Sequence, residues 1–70
     1  MNRSERNRYL GILAKEISSR YGTPIEITKK FVKQSQINVL LDQRPEFVDH
    51  ISVETWSREV HEEMIERKFN

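Results

Sequence analysis

Apolar residues recur every three to four positions along most of this chain, and the breaks in that rhythm divide it into helices. Tyr9, Leu10, Leu13, Ala14, Ile17 and Tyr21 fall on one face at the helical period, predicting a first helix from about Arg3 to Tyr21. Asn2 or Ser4 can cap its start, and Asn2 followed three residues on by Glu5 approximates a capping box. Gly22, just past Tyr21, suits the left-handed residue that ends a helix.

Thr23-Pro24-Ile25-Glu26 is the sharpest local signal. Thr23 is expected to cap, Pro24 to supply a preset φ in the first turn, and Glu26 to reach back. The second helix then turns Ile27, Phe31 and Val32 inward. Around Gln34-Ser35-Gln36 the apolar phase slips. Either Ser35 caps a short separate helix holding Ile37, Leu40 and Leu41, or one bent helix continues to Leu41.

Asp42-Gln43-Arg44-Pro45 reads as a turn, after which Glu46 to His50 can form one helical turn that tucks Phe47 and Val48 inward. Ser52 caps the last helix, with Ile51 and Trp56 spaced as a hydrophobic staple. Val53, Trp56, Val60 and Met64 make its apolar stripe. No strand alternation and no internal repeat interrupts this pattern. The expected fold class is all-α: one domain over residues 1–70, a small bundle of three main helices plus one or two short ones.

Size constrains how such a bundle holds together. A chain of 70 residues buries only about 60% of the surface it exposes when unfolded. It has no Cys, so neither a disulfide nor a thiolate metal site can help. A packed helical core or self-association must do so. The start, Met1 to Arg8, is polar and charged, so no signal peptide, no membrane anchor and a cytoplasmic location are expected.

Charge changes the picture more than composition does. Residues 1–33 carry eight Lys/Arg against three Glu, a net of +5, while residues 34–70 carry four against eight acids, a net of −4. The total of +1 hides this split. A basic end and an acidic end suggest a binding partner more than a reaction.

The candidate chemistry is thin. His61-Glu62-Glu63 begins like a zinc-protease motif, but position 65 is Ile65 where a second His is needed. No metal and no cofactor is expected. Ser4, Ser18, Ser19, Ser35, Ser52 and Ser57 read as caps and exposed helix positions, with no paired base. Gly11 and Gly22 stand alone and form no phosphate loop. The chain is therefore expected not to be an enzyme.

Two binding surfaces remain. On the last helix Glu59, Glu62 and Glu66 accompany Ile65 and Phe69, which fall opposite the Val60–Met64 stripe. Carboxylates beside an apolar pair suit a protein partner, although a bundle can also bury more than one side of a helix. The rival surface is basic. Arg3, Arg6 and Arg8 on the first helix, with Lys29, Lys30 and Lys33 on the second, could meet nucleic-acid phosphates. The Tyr21–Pro24 joint is similar to a helix-turn-helix corner. The second helix, offering Thr28, Lys29, Lys30, Lys33 and Gln34, suits phosphates better than base edges.

Ala14-Lys15-Glu16-Ile17 running into Arg20-Tyr21-Gly22, Pro24-Ile25-Glu26, Lys33-Gln34-Ser35 before Val39-Leu40-Leu41, and the Ser52–Met64 helix together resemble a family of short bacterial all-helical proteins known only as a domain of unknown function. The resemblance covers about residues 12–66; the segment Arg44 to His50 falls outside its pattern. It implies a bacterial accessory protein encoded near toxin–antitoxin-like genes, and carries over no functional residue. The sequence thus predicts a non-enzymatic bacterial or phage module that regulates or neutralises a partner protein. A helix-turn-helix DNA-binding regulator is the alternative, and a homodimer is compatible with either.

Overall fold

In the computed structural model, which describes residues 2–68, five helices follow one another: α1 (Arg3–Tyr21), α2 (Ile25–Gln34), α3 (Gln36–Gln43), α4 (Pro45–Asp49) and α5 (Val53–Lys68). No strand occurs among the described residues. The all-α expectation holds, with α1, α2 and α5 as the main helices and α3 and α4 as the short ones.

Local chemistry sets the ends of these helices. The Asn2 Oδ1 accepts the Glu5 N–H at 2.8 Å, while its Nδ2 donates to the Glu5 carboxylate at 3.1 Å. Gly22 closes α1 at φ 70°, with its N–H on the Ser18 carbonyl at 2.9 Å. An L side chain resists that backbone region, so the glycine is needed there.

The start of α2 departs from the sequence expectation. Pro24, not Thr23, is the N-cap, and no side chain caps the helix. The Thr23 hydroxyl is instead engaged with that of Thr28 at 2.7 Å, and Thr28 also donates to the Pro24 carbonyl at 2.8 Å. Ser18 donates to the Thr23 carbonyl at 2.6 Å. Thr28 is fully buried, so its hydroxyl must find partners inside the fold. Satisfying it takes the side chain that would otherwise have capped.

This also resets the phase of α2. Thr28 and Val32 face the core, and Ile27, expected inward, is 48% exposed. Phe31 is half-buried.

Ser35 resolves the alternative at the phase slip in favour of two helices. It ends α2 and begins α3 in extended backbone. Its hydroxyl accepts the Ile37 N–H at 3.2 Å and donates to the Val32 carbonyl at 3.1 Å. Asn38 closes the joint by donating to the Lys33 carbonyl at 2.8 Å. Ser52 caps α5 as expected, accepting the Thr55 N–H at 3.2 Å.

The core is formed by Leu10, Leu13, Ala14 and Ile17 of α1, Val32 of α2, Ile37 and Leu41 of α3, Val48 of α4, and Trp56, Val60 and Met64 of α5. Helix α1 packs against both α2 and α5, and α3 joins α2 to α4. Phe47 does not tuck in as expected: it stays largely exposed and meets Trp56 edge-on, ring centroids 6.1 Å apart. Ser57, expected on the surface, is fully buried and donates to the Val53 carbonyl at 2.7 Å. A mid-helix serine hydroxyl can turn back onto its own helix in this way, which makes burial tolerable.

Candidate functional site

Once the helices are placed, three surface features stand out, two of them carrying the charge split. The first is a cleft of about 280 Å³ between α3 and α5. Ile37, Leu40, Trp56 and Val60 form its apolar floor, and Glu59, Glu62, Glu63 and Glu66 stand along the α5 side. Four carboxylates share this wall because positions 59, 62, 63 and 66 recur at the helical spacing.

Among the described residues, these carboxylates are only lightly neutralised. Arg67 reaches Glu63 at 3.7 Å and Arg58 reaches Glu59 at 3.9 Å. Both contacts are loose, and both arginines face solvent, so the wall keeps a negative field.

The structure brings Glu59, Glu62 and Glu66 together as the sequence suggests, and adds Glu63. Ile65 is 47% exposed on α5 and is not part of the cleft lining. Phe69 lies outside the described residues. The α3 side of the cleft, Gln36, Ile37 and Leu40, was not foreseen as part of a site. Its sequence signal is only apolar spacing, which a core helix shows equally.

The second feature is a groove of about 290 Å³ between α1 and α2, lined by Asn7, Leu10, Gly11, Lys29 and Lys33. The tight Gly22–Pro24 connection folds α2 back along α1 and sets Lys29 and Lys33 beside the N-terminal half of α1. Lys30 is exposed but lines neither groove nor cleft. Arg3 and Arg8 are exposed on the first turns of α1. Arg6 differs from them: its guanidinium bonds the Asp42 carboxylate at 3.1 Å and ties α1 to α3. Of the six basic candidates, two share a groove and one is engaged within the fold. Thr28, grouped with the lysines as a contact residue, is buried and cannot read a base.

The third feature is apolar. Ile27, Phe31 and Gln34 of α2 and Met64 and Arg67 of α5 enclose a groove of about 340 Å³. Sequence reasoning placed Ile27 and Phe31 in the core and so missed it.

His61 stacks flat on Tyr21, with centroids 3.8 Å apart and planes within 4°. The contact fastens the end of α1 to the middle of α5. Among the described residues, no group of three or more His, Cys, Asp or Glu is placed to hold a metal ion. No described helix is long and apolar enough to cross a membrane.

Comparison of the chain with protein-family models, with curated proteins and with solved structures returned no match. The family resemblance therefore rests on its short sequence segments alone.

Proposed function

We propose that this protein is a small, non-enzymatic bacterial or phage interaction module, acting in the cytoplasm, that regulates or neutralises a partner protein in the manner of an antitoxin or inhibitor. The observation that carries this reading is the α3–α5 cleft: an apolar floor under four carboxylates on one helix. Such a surface suits a basic amphipathic segment. Its apolar side would supply affinity on the floor, and its Lys/Arg would be steered by Glu59, Glu62, Glu63 and Glu66. Ile65, beside Glu66 in sequence and half exposed, would extend the contact beyond the cleft, and Phe69, four residues further along the sequence, belongs to the same proposed surface.

The test uses Trp56, the sole tryptophan, which lines the cleft. A basic amphipathic helical peptide is titrated against the fluorescence of Trp56, beside the same peptide with its Lys replaced by Glu. A saturable change with the basic peptide alone, weakened at least tenfold by Glu59→Gln/Glu62→Gln/Glu66→Gln, supports the reading. Equal responses to both peptides, or none, rule it out. Ile65→Ser/Phe69→Ser should weaken binding at unchanged helicity if α5 is used beyond the cleft.

A second reading has one observation in its favour, the pairing of Lys29 and Lys33 in the α1–α2 groove. In it, the protein is a DNA-binding regulator of helix-turn-helix type that holds phosphates through Arg3, Arg8, Lys29, Lys30 and Lys33. Such binding would fall steeply as salt rises. Mixed-sequence duplex that is not retarded even at low salt would exclude it.

A further inference from the structure

Two of the three surface features, the apolar groove and the acidic cleft, adjoin. Gln34 lines the apolar groove and Gln36, two residues on, lines the acidic cleft. The last turns of α5 serve both: Met64 and Arg67 wall the groove, while Glu63 and Glu66 wall the cleft. On the other flank of the groove, Lys30 follows Ile27 by three residues on the exposed side of α2. The surface thus runs from Lys30 on α2, across a strip of Ile27 and Phe31 with Gln34 at one end and Met64 deep in its floor, past Arg67, which pairs with Glu63, to an acidic flank on α5.

From this order we infer that the face is a two-fold interface, and that its occupant is a second copy of this chain. A two-fold axis along the apolar strip exchanges the flanks, so Lys30 of one protomer meets the α5 glutamates of the other, twice per dimer. Ile27, 48% exposed in the single chain, with the half-buried Phe31 beside it, supplies the apolar centre of such a contact. The complementarity lies within one sequence, since its basic residues and its acidic residues are segregated. A foreign partner would have to match all three zones; a second copy matches them by symmetry. This inference does not depend on the partner proposed for the cleft.

The test is solution mass by light scattering or sedimentation, at high micromolar chain and low salt. The wild type is expected at twice the 8.4 kDa chain mass, falling toward the chain mass as salt screens the flanks. Ile27→Glu, at an exposed position, should give a monomer with unchanged helicity. Lys30→Glu alone and Glu66→Lys alone should each give monomers, because each places like charges opposite one another twice. The double variant Lys30→Glu/Glu66→Lys, and an equal mixture of the two single variants, should both recover the dimer. That recovery separates lost contact from lost folding. A wild type that stays at the chain mass overturns the inference. So does a dimer that persists in both Ile27→Glu and the single charge reversals.

Discussion

The indole N–H of Trp56 donates to the carbonyl of Val48 at 3.2 Å, joining the first turns of α5 to the short helix α4. The loop between them, from His50 to Ser52, is too short to bury much by itself. A ring anchored in α5 holds α4 down, and Val48, whose carbonyl it engages, is fully buried in the core. Trp56 therefore does two jobs: it fixes α4 and it forms part of the floor of the acidic cleft.

Trp56→Phe keeps much of the ring volume but loses the hydrogen bond. The expected loss is about 1 kcal/mol, or somewhat more where smaller volume leaves a gap. Trp56→Ala removes the ring and should cost roughly 3–5 kcal/mol. A domain of this length has only about 3–5 kcal/mol to lose. Urea unfolding followed by circular dichroism should show a shifted midpoint for the first variant and a largely unfolded chain for the second.

The two glycines should respond in opposite directions. Gly22 sits at φ 70°, so Gly22→Ala forces an L residue into the left-handed region and should cost about 1 kcal/mol. Gly11 lies mid-helix in α1, and a Cβ added there meets nothing within 4 Å. Gly11→Ala should therefore stabilise by about 0.5–1 kcal/mol through helix propensity alone. Thermal midpoints moving in the same direction for both would contradict these assignments.

Most of the fold was legible in the sequence because local signals agreed with the final packing. The Asn2 and Ser52 caps and the Gly22 terminator are short-range effects, and each is used as its sequence context suggests. Periodicity located the stripes of α1 and α5 for the same reason. Helix α2 was misread because its buried face includes Thr28, a residue that periodicity counts as polar. Burial of that hydroxyl depends on Thr23 and Pro24 curling over it, which no spacing rule contains. The same rotation brought Ile27 to the surface and created the apolar groove. The acidic wall was legible because it lies on one helix. The cleft was not, because its floor is shared between α3 and α5, which are linked only through tertiary packing.

Tyr9 offers a pH-dependent test of the packing between α1 and the rest of the core. Burial first, and then the negative charge of Asp49, raise its phenol above the ordinary value of 10.0. An unfolded tyrosine loses its proton near pH ~10, while the folded one keeps it to higher pH. The stability linked to this group is therefore complete below pH ~10 and declines as pH rises toward the folded value. Its hydroxyl is also buried without a hydrogen-bond partner among the described residues. Tyr9→Phe should thus be neutral or stabilising by up to about 1 kcal/mol at neutral pH, and should lose less stability in alkali. Urea midpoints at neutral pH and above pH ~10 would check both parts.

A basic segment in the cleft and a second copy on the adjoining face should exclude one another, because both use the last turns of α5. Glu63 and Glu66 would be claimed by the lysines of the segment or by Lys30 of the second protomer, and the rim cannot serve both at close range. Adding a basic amphipathic helical peptide to the dimer should therefore yield a complex of one chain and one peptide. Sedimentation should show the dimer boundary giving way to a lighter species that carries the peptide. Ile27→Glu, already monomeric, should bind the same peptide more tightly than the wild type, since no second copy has to be displaced. Equal affinity of the two proteins at chain concentrations that favour the wild-type dimer would show that the surfaces act independently. The acidic and basic halves would then serve separate partners.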